Sequence, residues 1–287
     1  MKLLFALALT MVLPVCAHGL LDNFKENRVS WEKGLEAGSG ASVRKSIEDF
    51  VHRETITVSP YDYNSMHAVV GALDIAAKAC VIDGTWEDVV VFLKRADQTA
   101  ADNMSNAEHT FSKLLAQHNK KLKEWQEEVS QQEKRIKVLE NQETLTCEQQ
   151  KLKEEISTFL DEHHRAIMHS EYSIKEIGSL LTALKSEKEA HAKSLSHWQA
   201  FLDRERADIA KAGAVTTYVV EKLKQIKADN NIANSERISY SRRLLRLDPS
   251  NSECRRFVDS LTGKVSVVSN PHVLNKKTKR HIVHTKK

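Results

Sequence analysis

Proline and glycine are scarce in this chain of 287 residues, with 4 of the first and 9 of the second. Together with 6% aromatic residues, this excludes collagen-like and Pro/Gly-rich disordered chains. It also argues against many-stranded β folds, which need turn residues every 8–12 positions. No proline occurs between Tyr61 and Asp248, and neither glycine nor proline occurs between Gly84 and Gly178. Cysteines number only 4, and no two are close enough for a Cys-x-x-Cys zinc half-site. A Gly-rich phosphate loop, a Gly-x-Ser-x-Gly elbow and a His-Glu-x-x-His helix are all missing. What remains is a composition for long helices, with 29% charged and 41% hydrophobic residues.

Residues 1–17 read as a secretory signal, with Lys2 followed by the apolar stretch 3–15 and a cleavage site at Val15-Cys16-Ala17. A soluble protein of the secretory route is expected, with no stable membrane anchor. If Cys16 leaves with the signal, Cys80, Cys147 and Cys254 remain. An odd number leaves one thiol unmatched or pairs it between chains. The segment 264–287 holds seven basic residues and no acidic one, and reads as a solvated flexible tail. Removing those seven and Lys2 from the net +4 leaves about −4 for residues 18–263, so nucleic acid is not expected as a partner.

Residues 18–84 form an N-terminal head segment. It has amphipathic candidates at 20–36 and 42–53, the loop Gly38-Ser39-Gly40, a connector at 55–63 with Ser59-Pro60, and the most apolar mature segment at 65–82. The last reads as a buried helix. It is also the only stretch a membrane-active helical toxin could insert, and His67, Asp74 and Lys78 interrupt it. Thr85 and Asp88 offer a capping box for the next helix.

Steps of three and four then run through Met104, Glu108, Phe111, Leu115, His118, Leu122, Trp125, Val129, Gln132, Ile136 and Leu139. The pattern breaks at 141–144, and Thr146 with Gln149 offers a fresh cap. A second seam passes through Leu152, Ile156, Phe159, His163, Ala166, Ser170, Ile174, Ile177, Leu181 and Leu184. It continues through Lys188, His191, Leu195, Trp198, Leu202, Glu205 and Ile209. Both are heptad seams of coiled-coil type. Folding back near Thr144 pairs seam with seam, Trp125 facing His163 and Met104 facing Leu184. The expectation is an all-α protein with a long antiparallel coiled-coil hairpin over 85–212, roughly 80 Å long at 1.5 Å per residue. Helices of 213–263, including a helix–Pro-turn–helix around Pro249, would complete the head with 18–84. The head would then hold Cys80 and Cys254, candidates for a disulfide, while Cys147 at the tip could pair only between chains.

Asp161, His163, His164 and His169 are the densest group of metal-type ligands, but His164 and His169 do not share a helical face, and the group reads as a polar seam layer. No catalytic, cofactor-binding or metal residue is assigned, and no enzyme is expected. His118, Gln132, His163, Lys188, His191 and Glu205 occupy positions where apolar residues would stabilise more. Such layers fix register and partner choice, or they are drift in a long coiled coil. Histidines among them would make packing sensitive to pH.

A signal peptide, an apolar helical region with Trp31, and two long heptad stretches with polar layers resemble the trichocyst matrix and granule lattice proteins of ciliates. The likeness is one of layout over residues 1–212. It implies a structural protein of the secretory granule lumen that assembles with itself or related coiled-coil proteins, and calcium enters as a cofactor only through it. The chain departs from that family in its slightly basic charge. The leading expectation is a secreted, non-enzymatic assembly protein. The competing reading is a secreted helical module that docks a protein partner through its head.

Overall fold

The computed structural model describes residues 18–57 and 63–263, with the side chains of 18–21, 54–57 and 64 left aside. The expected signal, most of the Ser59-Pro60 connector and the basic tail lie outside the described residues. Among those described there are eight helices and no strand. They are α1 (His18–Glu36), α2 (Gly40–Thr57), α3 (Tyr63–Asp83), α4 (Trp86–Glu140), α5 (Cys147–Ala212), α6 (Val215–Ala228), α7 (Asn234–Leu247) and α8 (Ser252–Thr262). The chain divides into two compact units, meeting between Lys211 and Ala212.

In the first unit the apolar α3 is the centre of a head. Ala68, Val69, Val70, Ala72, Leu73, Ala76 and Cys80 on α3 are essentially inaccessible. They join Phe24 and Trp31 of α1, Ile47, Phe50 and Val51 of α2, and Val89, Phe92, Leu93 and Ala96 of α4 in one core. Leu195 and Trp198 of α5 pack against it. The rings of Phe24, Trp31 and Phe50 meet at 5.3–6.3 Å, two of the three pairs edge-on, and Trp31 Nε1 donates to Ser46 Oγ at 3.0 Å. Gly71 lets α1 approach, because a Cβ there would lie 2.9 Å from the Phe24 ring. By length and composition, 65–83 of α3 could cross a bilayer, and 61% of that stretch is buried inside the head.

The two long helices have 55 and 66 residues. They run antiparallel, as contacts from end to end require. Trp86 meets Trp198 and Phe201 at ring distances of 6.2 and 5.2 Å, and Lys153 Nζ lies 3.6 Å from Glu140 at the other end. The turn between them lies at the break in the heptad pattern. There Thr146 N–H donates to Gln149 Oε1 (2.9 Å) and Gln149 N–H donates to Thr146 Oγ1 (3.3 Å), a reciprocal cap.

The matching cap at Thr85 does not form. Thr85 makes no side-chain cap, because its hydroxyl and the Asp88 carboxylate are both engaged by Arg44 Nη1, at 3.2 and 2.9 Å. A cation reaching over from α2 outcompetes the local arrangement.

In the second unit α7 packs on both α6 and α8. The expected Pro turn is present, with α7 ending at Leu247 and Asn251 capping α8 by accepting from Cys254 N–H at 2.9 Å. Gly263 closes α8 with a left-handed φ of 69°.

Candidate functional site

The shaft formed by α4 and α5 is built from two apolar patches with polar contacts between them. Nearest the head, Met104, Ala107, Phe111 and Leu184 are buried together, with Ile177 and Leu181 packed on them and the Tyr63 ring 5.8 Å from Phe111. Toward the tip, Val129, Leu139, Ile156 and Leu160 form the second patch, flanked by Ile136, Leu152 and Phe159. Leu122 and Trp125, between the patches, are half-buried. Leu195 and Trp198 belong to the head core rather than to the shaft. Two expected seam positions, Glu108 and Lys188, are exposed, while the preceding residues, Ala107 and Glu187, are buried and half-buried. Leu160 and Ile167, outside the expected seam, also face the partner helix.

Polar seam residues find partners. His118 Nδ1 and Ser170 Oγ share a hydrogen bond of 2.9 Å, on the expected register, and Ser170 is 2% exposed. Burial, reinforced by Lys121 and His169, holds the His118 imidazole below its ordinary pKa. His163 donates from Nδ1 to the Phe159 carbonyl (3.0 Å), stacks on the Phe159 ring at 3.7 Å, and places Nε2 3.4 Å from Glu128. Glu128 is one turn beyond Trp125, the residue expected to face it. His164 Nε2 lies 3.7 Å from Glu133. The histidines of the densest group of metal-type side chains part ways: His163 and His164 turn to carboxylates of α4, and His169 lies near His118. Among the described residues, no group of three metal-type ligands comes together.

A second polar cluster lies where the shaft meets the head; the sequence marked His191 as a polar seam position and His67 and Asp74 as breaks in an apolar segment, without joining them. His67 of α3 donates from Nδ1 to Glu187 Oε1 of α5 at 2.6 Å. His191 of α5, one turn on, places Nδ1 3.3 Å from Asp74 Oδ1 of α3. The hydrogen bond to Glu187 raises His67, and the hydrogen bond to Asp74 raises His191. His67 and Glu187 are 120 residues apart, so only the expected fold-back near Thr144 could have suggested the pairing.

The candidate Cys80–Cys254 disulfide is absent: Cys80, Cys147 and Cys254 are all free. Cys80 and Cys254 are 0% exposed, each enclosed by the helices of its own unit. Cys80 accepts from Arg44 at 3.7 Å, and Cys254 Sγ donates to the Ser241 carbonyl at 3.2 Å. Burial pushes the Cys254 thiol up to about 11 and raises Cys80 as well. Neither thiol can reach the other without its core opening. Cys147, at the hairpin turn, is exposed.

Grooves along the hairpin are open and lined by a mixture of charged, polar and apolar side chains. One of about 360 Å³ lies between Glu87 and Val90 of α4 and Gln199, Leu202, Asp203 and Arg206 of α5. No family model, no curated protein and no solved structure matches the chain.

Proposed function

We propose that this protein is a secreted, non-enzymatic assembly protein that associates with further copies, or with similar helical chains, along its shaft. The observation that carries this reading is the incomplete burial of the shaft's apolar stripe. Leu122, Trp125, Ile136, Leu152, Phe159 and Ile177 all stay half-buried in the hairpin. Two helices cannot enclose so wide a stripe, and covering the remainder with another pair of helices would gain about 25 cal/mol for each Å² of apolar surface removed from water. Polar contacts such as His118–Ser170 favour one register over others, as assembly in a regular array requires. A granule matrix is the setting we propose, with calcium as the ion to test first.

Sedimentation velocity of the mature full-length chain, with and without calcium, tests the proposal. Species well above the mass of one chain, which is 32.5 kDa before the expected signal is removed, are expected in at least one condition. A stable monomer across micromolar to millimolar calcium would overturn the reading and favour a module that docks a protein through its head.

A further inference from the structure

The two histidine contacts at the root of the hairpin are reciprocal. Helix α3 supplies one imidazole and one carboxylate, His67 and Asp74, two turns apart on one face. Helix α5 supplies the complementary carboxylate and imidazole, Glu187 and His191, one turn apart. Each helix therefore offers a histidine to the other's acid. Helix α4 adds a third carboxylate, since Asp97 acts on His191. The carboxylates acting on His191 are thus Asp74 of α3, Asp97 of α4 and Glu187 of its own helix, and the charges of His67 and His191 oppose one another. Those acting on His67 are Glu187 and His191 of α5 and Asp74 of its own helix. Three carboxylates surround two imidazoles, so protonating both still leaves the group net negative.

We propose that this reciprocal pair is a pH-operated clasp, fastening α5 to α3 when both imidazoles are protonated and releasing it when they lose their protons. The arrangement is internal to one chain and stands apart from assembly. Both histidines are held above their ordinary value, His67 by its hydrogen bond to Glu187 and His191 by its hydrogen bond to Asp74. A group raised in the folded state contributes fully below its unfolded value of about 6.5, and loses that contribution as pH rises through the folded value. The His191 contact should dominate, because its imidazole is 10% exposed while that of His67 is 62% exposed and better screened by solvent.

Farther down the shaft His118 has the opposite sign. Burial lowers it, so its contribution is present above about pH 6.5 and is lost as pH falls through the depressed value. Acid thus tightens the root and weakens the middle of the shaft, and alkali does the reverse. A chain passing from an acidic to a neutral compartment would exchange one loose point for the other.

Hydrogen exchange of the full chain at pH 5.5 and 8.0, corrected for the intrinsic rate at each pH, tests the clasp. Peptides covering 66–76 and 186–193 are expected to be several-fold better protected at pH 5.5. That difference should shrink in His191→Gln and vanish in the His67→Gln/His191→Gln pair. Equal protection at the two pH values in the parent, or a difference that survives in the double variant, would overturn the proposal. Histidine titration by NMR on the unmodified protein provides a check that needs no variant to fold. His67 and His191 should titrate above about 6.5 and His118 below it; His191 at or below that value would end the proposal.

Discussion

Gly178 is the residue at which local chemistry and position agree most simply. It lies inside the 66-residue α5, exposed, and a Cβ built there would have nothing within 4 Å. Glycine in a helix interior costs about 1 kcal/mol relative to alanine, chiefly through backbone entropy. Gly178→Ala should therefore raise stability by about that amount in denaturant melts, with no change in assembly. Gly71 is the contrasting case, since added bulk there would press on Phe24 and force α1 away from α3. The two glycines share helical backbone and differ only in what stands opposite them.

At the scale of elements, the heptad stripe specifies that α4 and α5 face one another but not which side chains go deepest. Expected seam residue Phe159 stays half-buried and stacks on His163, while Leu160, its neighbour in sequence, is 9% exposed. Leu160→Ala should accordingly cost about 2–3 kcal/mol in a denaturant melt, near the lower end for buried leucine truncations. If the expected seam described the packing better, Phe159→Ala would be the more damaging change.

Much of the architecture was legible because a 3.5-residue repeat is a property of neighbours in sequence. So were the turn at 141–146 and its Thr146–Gln149 cap, which involve residues three apart. What could not be read depends on residues brought from afar. Arg44 of α2 takes both members of the expected cap at Thr85, and Glu187 and His191 reach α3 only after the hairpin has folded back. The candidate disulfide failed for a related reason: spacing cannot reveal that Cys80 and Cys254 are enclosed in separate cores.

For the molecule as a whole, pH acts through groups of opposite sign, so a global melt reports their sum and can conceal both. A difference between parent and variant isolates one. His118→Leu removes the imidazole whose protonation burial opposes. Its melting temperature relative to the parent should therefore rise between pH 8 and pH 5. A constant offset across that range would mean that His118 titrates alike in the folded and unfolded chains.

The order of synthesis gives the apolar α3 a history of its own. Its cover from α1 and α2 is made before it and that from Val89–Ala96 just after it, but Leu195 and Trp198 follow its end by more than a hundred positions. At ordinary translation speeds that interval lasts roughly 6–20 s. Throughout it, a stretch greasy enough for a bilayer must travel without the part of its cover that α5 supplies. Asp74, which the finished molecule uses to grip α5, also makes lipid a costly refuge for the nascent chain, since a carboxylate at mid-membrane costs about 3 kcal/mol. One side chain thus guards the unfinished protein and later fastens the finished one.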